Sequence, residues 1–228
     1  MIKTLKRAAT VAALALLPLA LATPAHGTGT ALPHAAGTTL PLAEAVAALP
    51  LAAESREGYV RTGFKHWNAG EIPADGCNTR AEVLLAEATE DPQILPGCKL
   101  IGGMWWSYYD QMWVSSASAL DIDHMVPLAE AWDSGASQWT AARREAYAND
   151  QGASTSLVAV TAASNRSKAD QDPAEWLPPA ATARCQYLAE WTQTKLRWGL
   201  TLDTAERDAL TALSTGCPDT TVTYETAP

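Results

Sequence analysis

The sequence predicts an α+β protein, and three observations carry that prediction. Capped, helix-forming stretches at residues 78–89, 139–148, 185–198 and 204–213 alternate with short strand patterns at 98–101, 111–114, 119–125 and 157–161. The strand patterns gather near the middle of the chain, with helices added before and after. The four cysteines, Cys77, Cys98, Cys185 and Cys217, include no Cys-x-x-Cys pair, so they suit disulfide staples better than a zinc ribbon.

The chain opens with Lys3, Lys6 and Arg7, an apolar run over residues 8–22, and small residues suited to cleavage after Ala25 or Gly27. The run is shorter than the ~20 residues that span a bilayer, so residues 1–27 read as a Sec-type signal peptide and the protein as secreted, with no membrane segment in the mature chain. Residues 28–40, rich in Gly, Thr, Ala and Pro, read as a flexible tether that includes His34. Residues 41–228 then read as a single domain whose central unit spans about 119–170.

Of the 16 Lys and Arg, three fall in the leader, which leaves 13 against 25 Asp and Glu and a net charge near −12. Such a chain repels polyanions as a whole, which argues against a non-specific nucleic-acid coat. An enzyme that meets a polyanion through a local basic patch or a metal ion remains open. In an oxidising compartment the four cysteines should form two bridges. Three pairings are open, and the sequential one, Cys77–Cys98 with Cys185–Cys217, is favoured because each closes a modest loop.

Asn78 is a good N-cap for the first predicted helix. The strands at 98–101 and 111–114 flank a Gly-Gly turn and the aromatics Trp105, Trp106, Tyr108 and Tyr109, read as core volume more than as a stacking surface. Residues 119–125 alternate apolar and polar, and Pro127 stands where a short helix, stopped by Gly135, can begin. In that strand Asp121 and Asp123 share one face and His124 the other, unless the strand ends early enough for Asp123 and His124 to reach one site. An apolar strand at 157–161 leads into a turn or helix through Lys168, which Asp172-Pro173 breaks. His66 beside Trp67 reads as structural, and no Gly-x-Ser-x-Gly elbow is present.

The chemistry concentrates in Asp123-His124-Met125-Val126-Pro127 and, after the second strand, Asn165-Arg166-Ser167-Lys168. A carboxylate and an amide oxygen suit a hard cation, and a neighbouring histidine suits proton abstraction near neutral pH. These segments resemble the HNH endonuclease signature of the ββα-metal superfamily, as found in RNA-guided CRISPR nucleases and modification-dependent restriction enzymes. With Trp132-Asp-Ser-Gly-Ala and Asp172-Pro-Ala-Glu-Trp-Leu-Pro, the chain also resembles small secreted bacterial HNH proteins from about Tyr59 to Cys217.

The resemblance implies a ββα core and a metal-dependent endonuclease acting on DNA, with RNA as an alternative substrate and no obligate protein partner. Asp123 and Asn165 match the ligands of one Mg²⁺ or Mn²⁺, and His124 matches the general base. Lys168 lies one helical turn beyond Asn165, where it can contact the phosphate. Arg166, Arg143 and Arg144 are candidates for nucleic-acid contact. The middle Asn of the pattern is replaced by Ser156, with Asn149 as a candidate substitute. The competing expectation is a non-catalytic secreted binding protein on the same scaffold that uses exposed tryptophans.

Overall fold

A computed structural model describes residues 37–228, so the expected leader and most of the expected tether lie outside the described residues. The class is α+β, with small antiparallel sheets set among helices. The central pair is β6 (Leu120–His124) with β7 (Leu157–Thr161), in the register Asp121 to Val160, Asp123 to Val158 and His124 to Leu157. Helix α5 (Ala162–Lys168) follows β7 directly, started by the Thr161 side chain, which accepts from Ser164 N at 3.2 Å. Together they form a β-β-α unit.

Both faces of that two-stranded sheet are covered, which explains why β7 is a continuous apolar run and not an alternating one. On one face Leu120, Ile122, Leu157 and Ala159 pack with Trp105 and with Val83 and Leu84 of α2 (Thr79–Ala86). On the other, Val158 and Val160 join the larger core of Tyr109, Met125, Val126, Tyr187 and Trp191. Helix α2 begins as expected at Asn78, whose side chain accepts from Ala81 N at 3.0 Å.

Two hairpins lie beside this unit. In the first, β2 (Gln93–Leu95) pairs with β3 (Lys99–Ile101) around a turn that needs positive φ, supplied by Gly97. In the second, β4 (Trp105–Ser107) pairs with β5 (Met112–Val114), so one expected strand is half of a hairpin whose other half is the aromatic stretch. Trp105 and Tyr109 are fully buried, as a core reading requires, whereas Trp106 and Trp113 point outward as an exposed cross-strand pair.

Between β6 and β7 run α3 (Leu128–Asp133) and α4 (Ala141–Ala148), the latter capped by Thr140 and starting two residues later than the expected 139. The chain closes with α6 (Arg184–Trp198), ended by Gly199 in the left-handed conformation, and α7 (Thr204–Ser214), capped by Asp203. Lys195, fully buried, joins three of these helices through Glu130 at 2.8 Å and Glu206 at 2.6 Å.

The disulfides are Cys77–Cys98 and Cys185–Cys217, the sequential pairing. One boundary differs from expectation. The last residues assigned to the tether form strand β1 (Thr38–Pro41), paired with β8 (Thr221–Tyr224), and lead into α1 (Leu42–Ala48). β8 is a β-branched stretch that only a distant partner makes a strand.

Candidate active site

A cavity of about 330 Å³ opens at the end of β6, lined by Asp123 and His124 from the strand and Asn165 and Arg166 from α5, with Arg61 from the amino-terminal segment. Four of the residues singled out from sequence therefore meet. They do so without an early end to the strand: β6 stays paired through His124, so Asp123 and His124 keep opposite faces and the cavity reaches both from the strand's end.

The His124 ring is held on three sides. Its Nε2 lies 3.0 Å from the carbonyl of Ala148. A carbonyl only accepts, so Nε2 carries the hydrogen and Nδ1 keeps the lone pair. Trp67 stacks on one face with ring centres 5.4 Å apart, and Tyr147 lies near-parallel at 6.5 Å. Burial drives the imidazole down to about 3, with the nearby charges of His66 and Arg61 acting in the same direction. The ring is neutral at physiological pH.

Asp123 is buried and heavily engaged. Its Oδ1 accepts from Lys168 Nζ at 3.0 Å, and its Oδ2 accepts from the same ammonium at 2.8 Å and from the Tyr109 hydroxyl at 2.7 Å. Lys168 is wholly buried and gives its remaining hydrogen to the His124 carbonyl at 3.0 Å. All three of its donors are spent inside the protein, so in this arrangement it supports the site from beneath and does not reach a phosphate. Burial acts on both partners, holding Asp123 above the usual carboxylate range and Lys168 below the usual ammonium range.

The donor chemistry fits a hard divalent cation. A carboxylate offers about four lone-pair sites, and Asp123 uses three, leaving one on Oδ1. Asn165 gives its Nδ2 to Asp121 at 3.3 Å, and among the described residues its Oδ1 has no partner. Asp121 is itself half-exposed and faces Arg166 at 3.6 Å. Oxygen donors without thiolate suit Mg²⁺ or Mn²⁺.

The other basic residues are placed elsewhere. Arg143 lies over Trp139 and Trp198 and donates to the carbonyls of Trp198 and Pro228. Arg144 donates to Gly63 and Trp139 carbonyls and packs over Trp132. Neither lines the cavity. Ser156 uses its carbonyl to hold Met125 N at 3.0 Å and its hydroxyl to bind Asp150 at 2.6 Å. Asn149 instead anchors the segment before the site, accepting from Asn68 N and donating to the Lys65 carbonyl. Neither Ser156 nor Asn149 lines the cavity.

Sequence reasoning missed Arg61, Trp67 and Tyr109 at this site. Trp67 carried one local signal, its neighbour His66, but only the fold brings residues 61–67 against β6.

Comparison with known proteins gives the family. Residues 79–213 match the family model described as GmrSD restriction endonucleases, C-terminal domain. An uncharacterized secreted protein from Arthroderma benhamiae is 40% identical over 163 residues, covering 71% of this chain and 77% of that protein. No solved structure matches. Among the described residues no helix is long and apolar enough to cross a membrane. The family match covers more than half of the chain, takes in Asp123, His124, Asn165 and Arg166 but not Arg61 or Trp67, and points to a nuclease-like function: the protein belongs to the family of GmrSD restriction endonuclease C-terminal domains.

Proposed function

We propose that the protein is a secreted, metal-dependent endonuclease of HNH type that hydrolyses phosphodiester bonds of DNA with little sequence preference. The observation that carries the reading is the state of His124: neutral, fixed through Nε2, and lining one cavity with Asp123 and Asn165. Its free Nδ1 takes the proton from water as the oxygen attacks phosphorus. An anionic phosphate beside the ring favours the imidazolium and raises the basicity that burial has depressed. Asp123 and Asn165 would hold one Mg²⁺ or Mn²⁺, which when bound supplies positive charge to the phosphate and the leaving 3′-oxygen. Secretion is supported by the leader-like amino terminus and by the relative described as secreted.

The competing reading, a non-catalytic binder, has Trp106 and Trp113 in its favour, 38% and 59% exposed. A plasmid-nicking assay separates the two. Cleavage should require Mg²⁺ or Mn²⁺, stop in EDTA, and fall at least ~10²-fold in His124→Ala at unchanged melting temperature. Undiminished cleavage in chelator, or none with any divalent ion, would overturn the proposal.

A further inference from the structure

We propose that Arg61, which lines the same cavity, is the side chain that holds the substrate's phosphodiester at His124; this rests on the nuclease reading above. The argument begins with charge. A chain so rich in carboxylates attracts nucleic acid only where a cation is left unneutralised. Most cations here are spent internally. Among the described residues, every Lys and Arg other than Arg61 and Lys99 contacts a carboxylate or a backbone carbonyl. Of the two exceptions, only Arg61 lines the cavity that contains His124. Arg166 also lines the cavity but faces Asp121 at 3.6 Å, and Asp170, a second acidic lining residue beside Asp123, faces Arg56 at 3.6 Å.

The backbone beneath Arg61 is fixed although its side chain is exposed. Residues Arg61–Gly63 form a single 3₁₀ turn, closed by Gly63 N to Val60 O at 2.8 Å and Phe64 N to Arg61 O at 3.1 Å. Phe64 follows, fully buried against Tyr147 and Trp132. The Gly63 carbonyl accepts from Arg144 at 3.1 Å. Arg144, expected to touch nucleic acid, therefore serves the site from behind by pinning the turn that presents Arg61. A guanidinium held at its base, with only the Tyr59 hydroxyl beside it and no carboxylate paired to it among the described residues, can offer two parallel N–H bonds to the non-bridging oxygens of a phosphate.

The test uses salt dependence, which reports phosphate contacts without requiring turnover. Duplex DNA binding by the full chain carrying His124→Ala is measured over a salt series, with and without Arg61→Ala. Loss of one phosphate contact should make the slope of log K against log salt shallower by about 0.9. In the His124 parent, Arg61→Ala should cut DNA about 10²-fold more slowly at an unchanged melting temperature, the lower end of what removing one donor from a developing charge costs. Arg61→Lys should restore the slope and only part of the rate. Lys99→Ala removes the same charge away from the cavity and should leave both unchanged. Unaltered slope and rate in Arg61→Ala, or equal effects from Lys99→Ala, would sink the assignment while leaving the nuclease reading intact. A parent protein that neither binds nor cuts DNA would sink both.

Discussion

The indole of Trp67 lies on the imidazole of His124, ring centres 5.4 Å apart and planes 28° from parallel. Trp67 holds that position with φ +58, a conformation a bulky side chain rarely adopts and one that costs of order 1–3 kcal/mol. The stack and the Ala148 carbonyl together leave the ring little freedom to turn. Trp67→Ala should lower kcat about tenfold or more with KM near the parent value, and Trp67→Phe should recover most of the loss. A rise in KM alone would make Trp67 a substrate contact instead of a support.

Lys168 and Asp123 make a second prediction, about stability. Removing one partner of a buried pair leaves an uncompensated charge, at a cost of about 3–5 kcal/mol. Lys168→Met should show that loss in urea melts, and the double change Asp123→Asn with Lys168→Met should regain part of it. A Lys168→Met protein with a parental melting curve and no activity would return Lys168 to direct work on the phosphate.

How much of this was legible beforehand can be read from the same residues. Asp123, His124 and Asn165 announced themselves by spelling, and Asn78 and Gly199 marked helix ends by local chemistry that needs no tertiary partner. The direction in which Lys168 points was not legible, because i, i+3 spacing puts it on the Asn165 face without saying whether solvent or Asp123 lies there. Strand β8 and helix α1 were missed because their partners are nearly the whole chain away. Arg143 and Arg144 looked like a basic face in sequence, yet aromatic rings and carbonyls surround them in the fold.

Glu87 gives a pH dependence whose sign is fixed. Burial raises its carboxyl to about 7, against an ordinary value of 4.5. Between those values the folded protein holds a proton that the unfolded chain has released. This contribution is complete below pH 4.5 and is lost as pH rises through about 7, to a total of about 3 kcal/mol. Glu87→Gln mimics the protonated acid, so its melting temperature should match the parent near pH 4.5 and exceed it at pH 8. An advantage that does not grow with pH would contradict the assignment.

The two disulfides should differ in what their loss does. Each bridge contributes about 2–5 kcal/mol by constraining the unfolded chain. Cys185–Cys217 ties the start of α6 to the end of α7, far in the chain from β6, so its removal should lower the melting temperature and spare the rate of the folded fraction. Cys77–Cys98 anchors the stretch on which residues 68–70 rest, through Gly70 N to Cys77 O and Thr79 N to Asn68 O, both at 3.0 Å. Its loss should slow single-turnover cleavage by the folded protein as well. Equal kinetic effects from the two double-alanine variants would refute this division.

The pairing of β1 with β8 is the most non-local contact of the described fold, and closing so long a loop carries an entropic cost that local pairings avoid. Thr39 and Thr223 stand side by side in the sheet although 184 positions separate them along the chain. Until β8 is in place, β1 presents an unpaired strand edge. The β-β-α unit makes its own pairings within one continuous stretch, although its faces pack on residues outside it. The outer seam thus joins positions from the two extremes of the described residues, whereas the strands and helix that carry the candidate site lie within 49 consecutive positions, 120–168.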